Sequence, residues 1–171
     1  MTRLSRRSLV AGIAAGGGAV AATAALAEPK RLGLDALTKD ADTACVYHCD
    51  FGEPKRIQQM AGNIANHLSV YDADPFKLKI VVVAHGSGIK PFLTDLEGTP
   101  WADSSMPPEV FQRFVDLSKS GVEVYLCQIT FKNNKIDLSK ARSDDFIRLV
   151  PSGVATVAAL QGKGFAYIKA G

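Results

Sequence analysis

The chain has 171 residues, with 20 Lys and Arg against 17 Asp and Glu, a formal net charge of +3. That excess lies entirely in Arg3, Arg6 and Arg7, so the residues after position 27 carry 17 charges of each sign. They hold no run of Lys or Arg to track a phosphate backbone, which excludes a nucleic-acid partner.

Residues 1–27 read as a twin-arginine signal peptide. Arg6-Arg7 stands in Ser5-Arg6-Arg7-Ser8-Leu9-Val10, a weakly apolar stretch runs from Leu9 to Ala24, and Ala25-Leu26-Ala27 is a small-x-small cleavage site. The apolar run is broken by Gly16-Gly17-Gly18 and is shorter than the ~20 residues a membrane span needs. The expectation is therefore a periplasmic protein, exported by the twin-arginine route, that begins near Glu28 and keeps no stable membrane anchor after cleavage. The 144 residues that remain suffice for one domain with its own core.

Residues 28–42 form a charged lead-in, a short helix or a loose arm, ahead of a domain over 43–171. Thr43–Cys49 predicts the first strand. Pro54 opens a helix on which Ile57, Met60, Ala61, Ile64, Ala65 and Leu68 recur at helical spacing. Lys77–Ala84 predicts a second strand whose unbroken apolar run suits burial on both faces, as in parallel sheets. Residues 86–106 are a long Gly/Pro-containing connection with Trp101. Pro107-Pro108 starts a helix carrying Val110, Phe111, Phe114, Val115 and Leu117, and Gly121 ends it. Val122–Cys127 is the third strand, residues 132–145 a polar stretch, and Ile147–Val150 a short fourth strand. Ser152 caps a helix with Val154, Val157, Ala158 and Leu160. Gly162 and Gly164 stop it before the fifth strand, Phe165–Ile168. Strands alternating with helices predict an α/β fold with a mostly parallel five-stranded sheet and helices on both faces.

In such a sheet the functional edge is at the carboxyl ends of the strands. The first strand ends in His48-Cys49-Asp50, the second in His85-Gly86-Ser87-Gly88, and the third in Cys127-Gln128. Two of the three histidines and two of the three cysteines thus reach one edge. Cys127 is the candidate nucleophile, because a nearby histidine or helix N-terminus raises the thiolate fraction of a thiol; the alternative is an inert, buried thiol. His85 is its candidate neighbour. Gly86 and Gly88 allow close backbone approach, and their amides are candidates to hold an anion. His48, Cys49, Ser87 and Gln128 complete the candidate binding set.

Cys45 is too far along its strand to bond Cys49 and reads as core. A Cys49–Cys127 disulfide is open if their strands are neighbours. His48, Cys49, His85 and Cys127 have zinc and copper chemistry, but their spacing matches no compact metal motif, and no cofactor is called for. His67 reads as a surface or subunit-contact residue, and Trp101 as a pocket cover or subunit contact.

Laid out in this way, the chain resembles the DsrE/DsrF-like family, associated with sulfur relay. The likeness covers nearly all of residues 43–169. It rests on Asn63-Ile64-Ala65-Asn66, Val81-Val82-Val83-Ala84-His85-Gly86, Val122-Glu123-Val124-Tyr125-Leu126-Cys127, Val150-Pro151-Ser152-Gly153-Val154 and Leu160 to Ile168. The resemblance implies a three-layer α/β/α fold, homotrimers or hexamers, and sulfur donor and acceptor proteins as partners. It also implies that Cys127 matches the position at which sulfur-carrying members hold a persulfide, with His85 steadying charge. Those members work largely in the cytoplasm, whereas this chain carries an export signal.

Three functions follow as expectations. A sulfur carrier needs a solvent-reachable Cys127. A non-catalytic, oligomeric periplasmic module binding a small anion or metal at the carboxyl edge would have a buried or disulfide-bonded Cys127. A thiol redox protein would pair Cys49 with Cys127.

Overall fold

The computed structural model describes residues 28–170; the signal peptide expected over residues 1–27 lies outside them. Six strands form one sheet in the order β1-β5-β4-β3-β2-β6, every pair parallel. They are β1 (Lys30–Arg31), β2 (Thr43–Cys49), β3 (Leu78–Ala84), β4 (Glu123–Cys127), β5 (Ile147–Val150) and β6 (Ala166–Lys169). The helices are α1 (Pro54–Val70), α2 (Pro108–Ser118), α3 (Gln128–Asn133) and α4 (Gly153–Gly162). Parallel neighbours need crossovers, and α1 and α2 supply them between β2, β3 and β4. α4 returns from β5 to β6 across the other face, touching β2, β3 and β4.

The sheet has six strands rather than five. β1 lies in the segment expected as a helix or loose arm. A two-residue strand is too short to show periodicity, and what binds it is distant: it pairs with β5, and Leu32 N–H donates to the Leu149 carbonyl at 2.8 Å. Leu37, 2 % exposed, anchors the segment beneath α4 with Leu32 and Leu34 packed beside it. The long connection after β3 opens with a 3-10 helix, Gly86–Phe92, and the polar stretch before β5 contains the end of α3 and a 3-10 turn at Leu138–Lys140.

Alternation along the strands separates two cores. Cys45, Tyr47 and Cys49 of β2, with Ile80, Val82 and Ala84 of β3 and Val124 and Leu126 of β4, face α1 and α2. Ala44 and Val46, Val81 and Val83, Tyr125 and Val150 face α4. The first core is the larger and contains the edge-to-face pair Phe92 and Phe114, with centroids 4.9 Å apart, a geometry that adds about 1 kcal/mol beyond area burial. α4 is apolar nearly all round, since it covers the sheet almost alone on its side; Val157 and Leu160 enter the core while Val154 stays exposed. Among the described residues no helix is long and apolar enough to cross a membrane.

Candidate functional site

Period-two alternation decides what meets at the carboxyl edge. His48 follows Val46 by two, His85 follows Val83 and Cys127 follows Tyr125, so all three continue the α4 face. Cys49 is one step out of phase and points into the opposite core, 0 % exposed.

The two imidazoles meet directly, with His48 Nε2 2.6 Å from His85 Nε2. One proton lies between them, and the tautomers decide which ring donates. The other nitrogen of His48, Nδ1, is 3.0 Å from the Tyr167 hydroxyl of β6, and the Tyr167 ring stands edge-on to His48. Burial, then the charge of His48, holds the His85 imidazole below its ordinary range, with Asp50 opposing.

Cys127 reaches this pair through Gly153, the first residue of α4. A Cβ on Gly153 would stand 3.0 Å from both Cβ and Cδ2 of His85 and 3.2 Å from Cβ of Cys127. Only a glycine lets the helix begin this close to both side chains. The adjoining Ser152 caps α4 by accepting the Ala155 N–H at 3.3 Å. Cys127 is 5 % exposed and carries no disulfide. The reachable thiol expected of a carrier is therefore absent from this conformation.

The redox pairing of Cys49 with Cys127 is overturned. β3 runs between β2 and β4, the two side chains lie on opposite faces of the sheet, and all three cysteines are free. Burial pushes the Cys49 thiol up to about 12, and it raises Cys45 too. Cys49 is sealed by Gly88: a side chain there would strike the Cys49 backbone and come within 3.0 Å of its sulfur.

The glycine turn after His85 is internally engaged. Gly86, at φ +53°, donates its N–H to Thr130 Oγ1 at 3.0 Å, which ties the turn to α3, and Gly88 N–H returns to the His85 carbonyl. Both amides already have acceptors within the protein. Ser87 turns towards the start of α1, and Gln128 begins α3, half-buried. Among the described residues no group of three or more His, Cys, Asp and Glu is placed to hold a metal. His67 is bound within the chain, its Nδ1 3.0 Å from the Tyr47 hydroxyl, and Trp101 packs partly buried against the larger core.

Tyr167 and Gly153 are the site residues that the strand-end survey passes over. Tyr167 belongs to a strand whose position beside β2 is set only by the fold, while Gly153 has the signal of a glycine at a capped helix start, which alone says nothing of what it touches.

A model of the DsrE/DsrF-like family matches residues 45–170, which includes every residue of this site. The chain belongs to the DsrE/DsrF-like family. That membership suggests a sulfur relay role. No curated protein matches the chain. Among solved structures, a protein of unknown function from Methanobacterium thermoautotrophicum is similar at 22 % identity with a TM-score of 0.59. The match covers 75 % of this chain and 99 % of the other. A likeness at that identity speaks for the fold and for nothing finer.

Proposed function

We propose that this DsrE-family protein is exported and carries sulfane sulfur as a persulfide on Cys127. One observation carries the reading: Cys127 and His85 both close on the position a Cβ of Gly153 would take at the carboxyl edge of the sheet, and His85 is hydrogen-bonded to a second imidazole. The chemistry needs no net oxidation. Cys127 gives its proton to the histidine pair, and the thiolate attacks the outer sulfur of a donor persulfide, R–S–SH. The new S–S bond forms as the donor's S–S bond breaks, and the departing R–S⁻ takes up the proton. The same step run towards the thiolate of an acceptor protein delivers the sulfur. His85 suits the acceptor role because burial keeps it largely neutral at pH 7.

With the thiol 5 % exposed, sulfur enters when the first turn of α4 moves aside. Closure then shields the persulfide from the oxidising compartment that the twin-arginine leader implies. The partners in this reading are a sulfur donor, a sulfur acceptor and further copies of the chain. Intact-mass measurement after incubation with a low-molecular-weight persulfide is expected to find one added sulfur on the wild type and none on Cys127→Ser. An unmodified wild type would sink the reading. Export is tested separately: replacing Arg6-Arg7 by two lysines is expected to leave the protein uncleaved in the cytoplasm.

The burial of Cys127 favours a second reading, in which the thiol is core and the edge belongs to a non-catalytic oligomeric module. An unmodified wild type that nevertheless assembles into a stable trimer or hexamer would support it.

A further inference from the structure

Lys90 sits on the opposite side of the same sheet edge, in the 3-10 helix that follows His85, and is only 8 % exposed. Lysine is almost never buried to that degree without a partner, yet among the described residues no hydrogen bond or ion pair engages its ammonium group, and the nitrogen itself keeps access to solvent. The charged end is directed to a definite place. A Cβ on Gly52 would meet Ser87 Cβ and the Ser87 carbonyl oxygen at 2.8 Å and Lys90 Cε at 3.0 Å, so only a glycine lets the chain pass this close to Ser87 and Lys90, beside a hollow that all three line.

The hollow opens at the start of α1. Gly52, Ser87 and Lys90 line a cavity of about 320 Å³ with Glu53, Ser104 and Ser105, near the lower end of the range for small-molecule pockets, about 300–1,000 Å³. α1 is 17 residues long, carries no acidic residue in its first turn, and has an N-cap, Glu53, that makes no side-chain capping bond. Pro54 has no N–H to offer, and among the described residues the Lys55 N–H has no acceptor. A long helix therefore turns its positive end towards a hollow lined by Lys90, whose ammonium group has no partner among the described residues, and by Ser87, Ser104 and Ser105.

We propose that Lys90, Ser87 and the first turn of α1 form a binding site for a small tetrahedral oxyanion, sulfate or phosphate. The anion neutralises Lys90, accepts from Ser87 and the Lys55 amide, and completes the cap that Glu53 leaves unmade. Ser104 and Ser105 close the outer wall from the loop before α2. Glu53 contributes an exposed carboxylate at the rim, which opposes the anion without blocking it. The site faces α1 while the histidine pair and Cys127 face α4, so the two act independently.

The test is titration of the full chain with sodium sulfate and, separately, sodium phosphate, at ionic strength held constant with chloride. Amide NMR shifts at Lys55 and the thermal midpoint are the readouts. The expected result is saturable binding of at least one of the two anions, centred on Lys55, with a rise in midpoint; the anion that binds identifies the ligand class. Lys90→Met keeps the length of the side chain and removes the charge, and should weaken binding at least tenfold without unfolding the protein. Glu53→Gln, on an exposed residue, should tighten binding a few-fold, and Cys127→Ser should leave it unchanged. Shifts no larger than chloride produces, or equal binding by wild type and Lys90→Met, would overturn the proposal. Unchanged affinity in Glu53→Gln would count against it as well.

Discussion

His48 Nε2 and His85 Nε2 stand 2.6 Å apart, within hydrogen-bond distance, although 37 positions separate the two residues in the chain. The contact exists because β2 and β3 are parallel neighbours with His48 registered on Val83, which sets His85 beyond the end of the ladder on the same face. Tyr167 then fixes His48 from the β6 side.

The pH dependence of stability follows from His85. Its folded-state pKa is depressed by burial and by His48. A base with a depressed folded pKa binds its proton better when unfolded, so stability is complete above the unfolded value, about 6.5, and falls as pH drops through it. The decline levels off below the folded pKa. The thermal midpoint is expected to fall between pH 7.5 and pH 5, and His85→Gln to flatten that decline. A wild-type midpoint that does not change over this range would contradict the assignment.

Gly153→Ala tests whether the helix start holds the site together. The added methyl meets His85 at 3.0 Å and Cys127 at 3.2 Å. Alanine is the better helix former, by up to about 1 kcal/mol, but overpacking a closed contact costs about 1–3 kcal/mol. The variant should be less stable by about 1 kcal/mol and should load less sulfur on Cys127. Chemical denaturation and intact mass read the two effects. A stabilised variant with normal loading would show that the close approach is unnecessary.

The three thiols should differ in reactivity for reasons the geometry supplies. Cys49 is 0 % exposed, raised to about 12 and closed in by Gly88. Cys45 is buried and raised as well. In the native protein at pH 8 neither should react with iodoacetamide until the chain unfolds. Cys127, 5 % exposed beneath the first turn of α4, which moves aside in the proposed loading step, should be the first site labelled. Peptide mapping after timed alkylation decides the order, and early labelling at Cys49 would refute it.

The sequence by itself determined the layers and the parity of the site. Unbroken apolar runs such as Ile80–Ala84 mark strands buried on both faces, and alternation carries His48, His85 and Cys127 onto one face because each lies two residues beyond a core position. These are local properties of the backbone, set by a repeat of two residues in a strand and 3.6 in a helix. The tertiary structure alone decided the rest. It put β3 between Cys49 and Cys127, which removed the disulfide, and it drew Lys30–Arg31 into the sheet as a sixth strand. It also covered Cys127 with the start of α4, joined Tyr167 to His48, and buried Lys90 beside Gly52. Each of these depends on which distant segments pack together, and no local periodicity records that, because strand order and burial are fixed by contacts formed only when the chain closes its long loops.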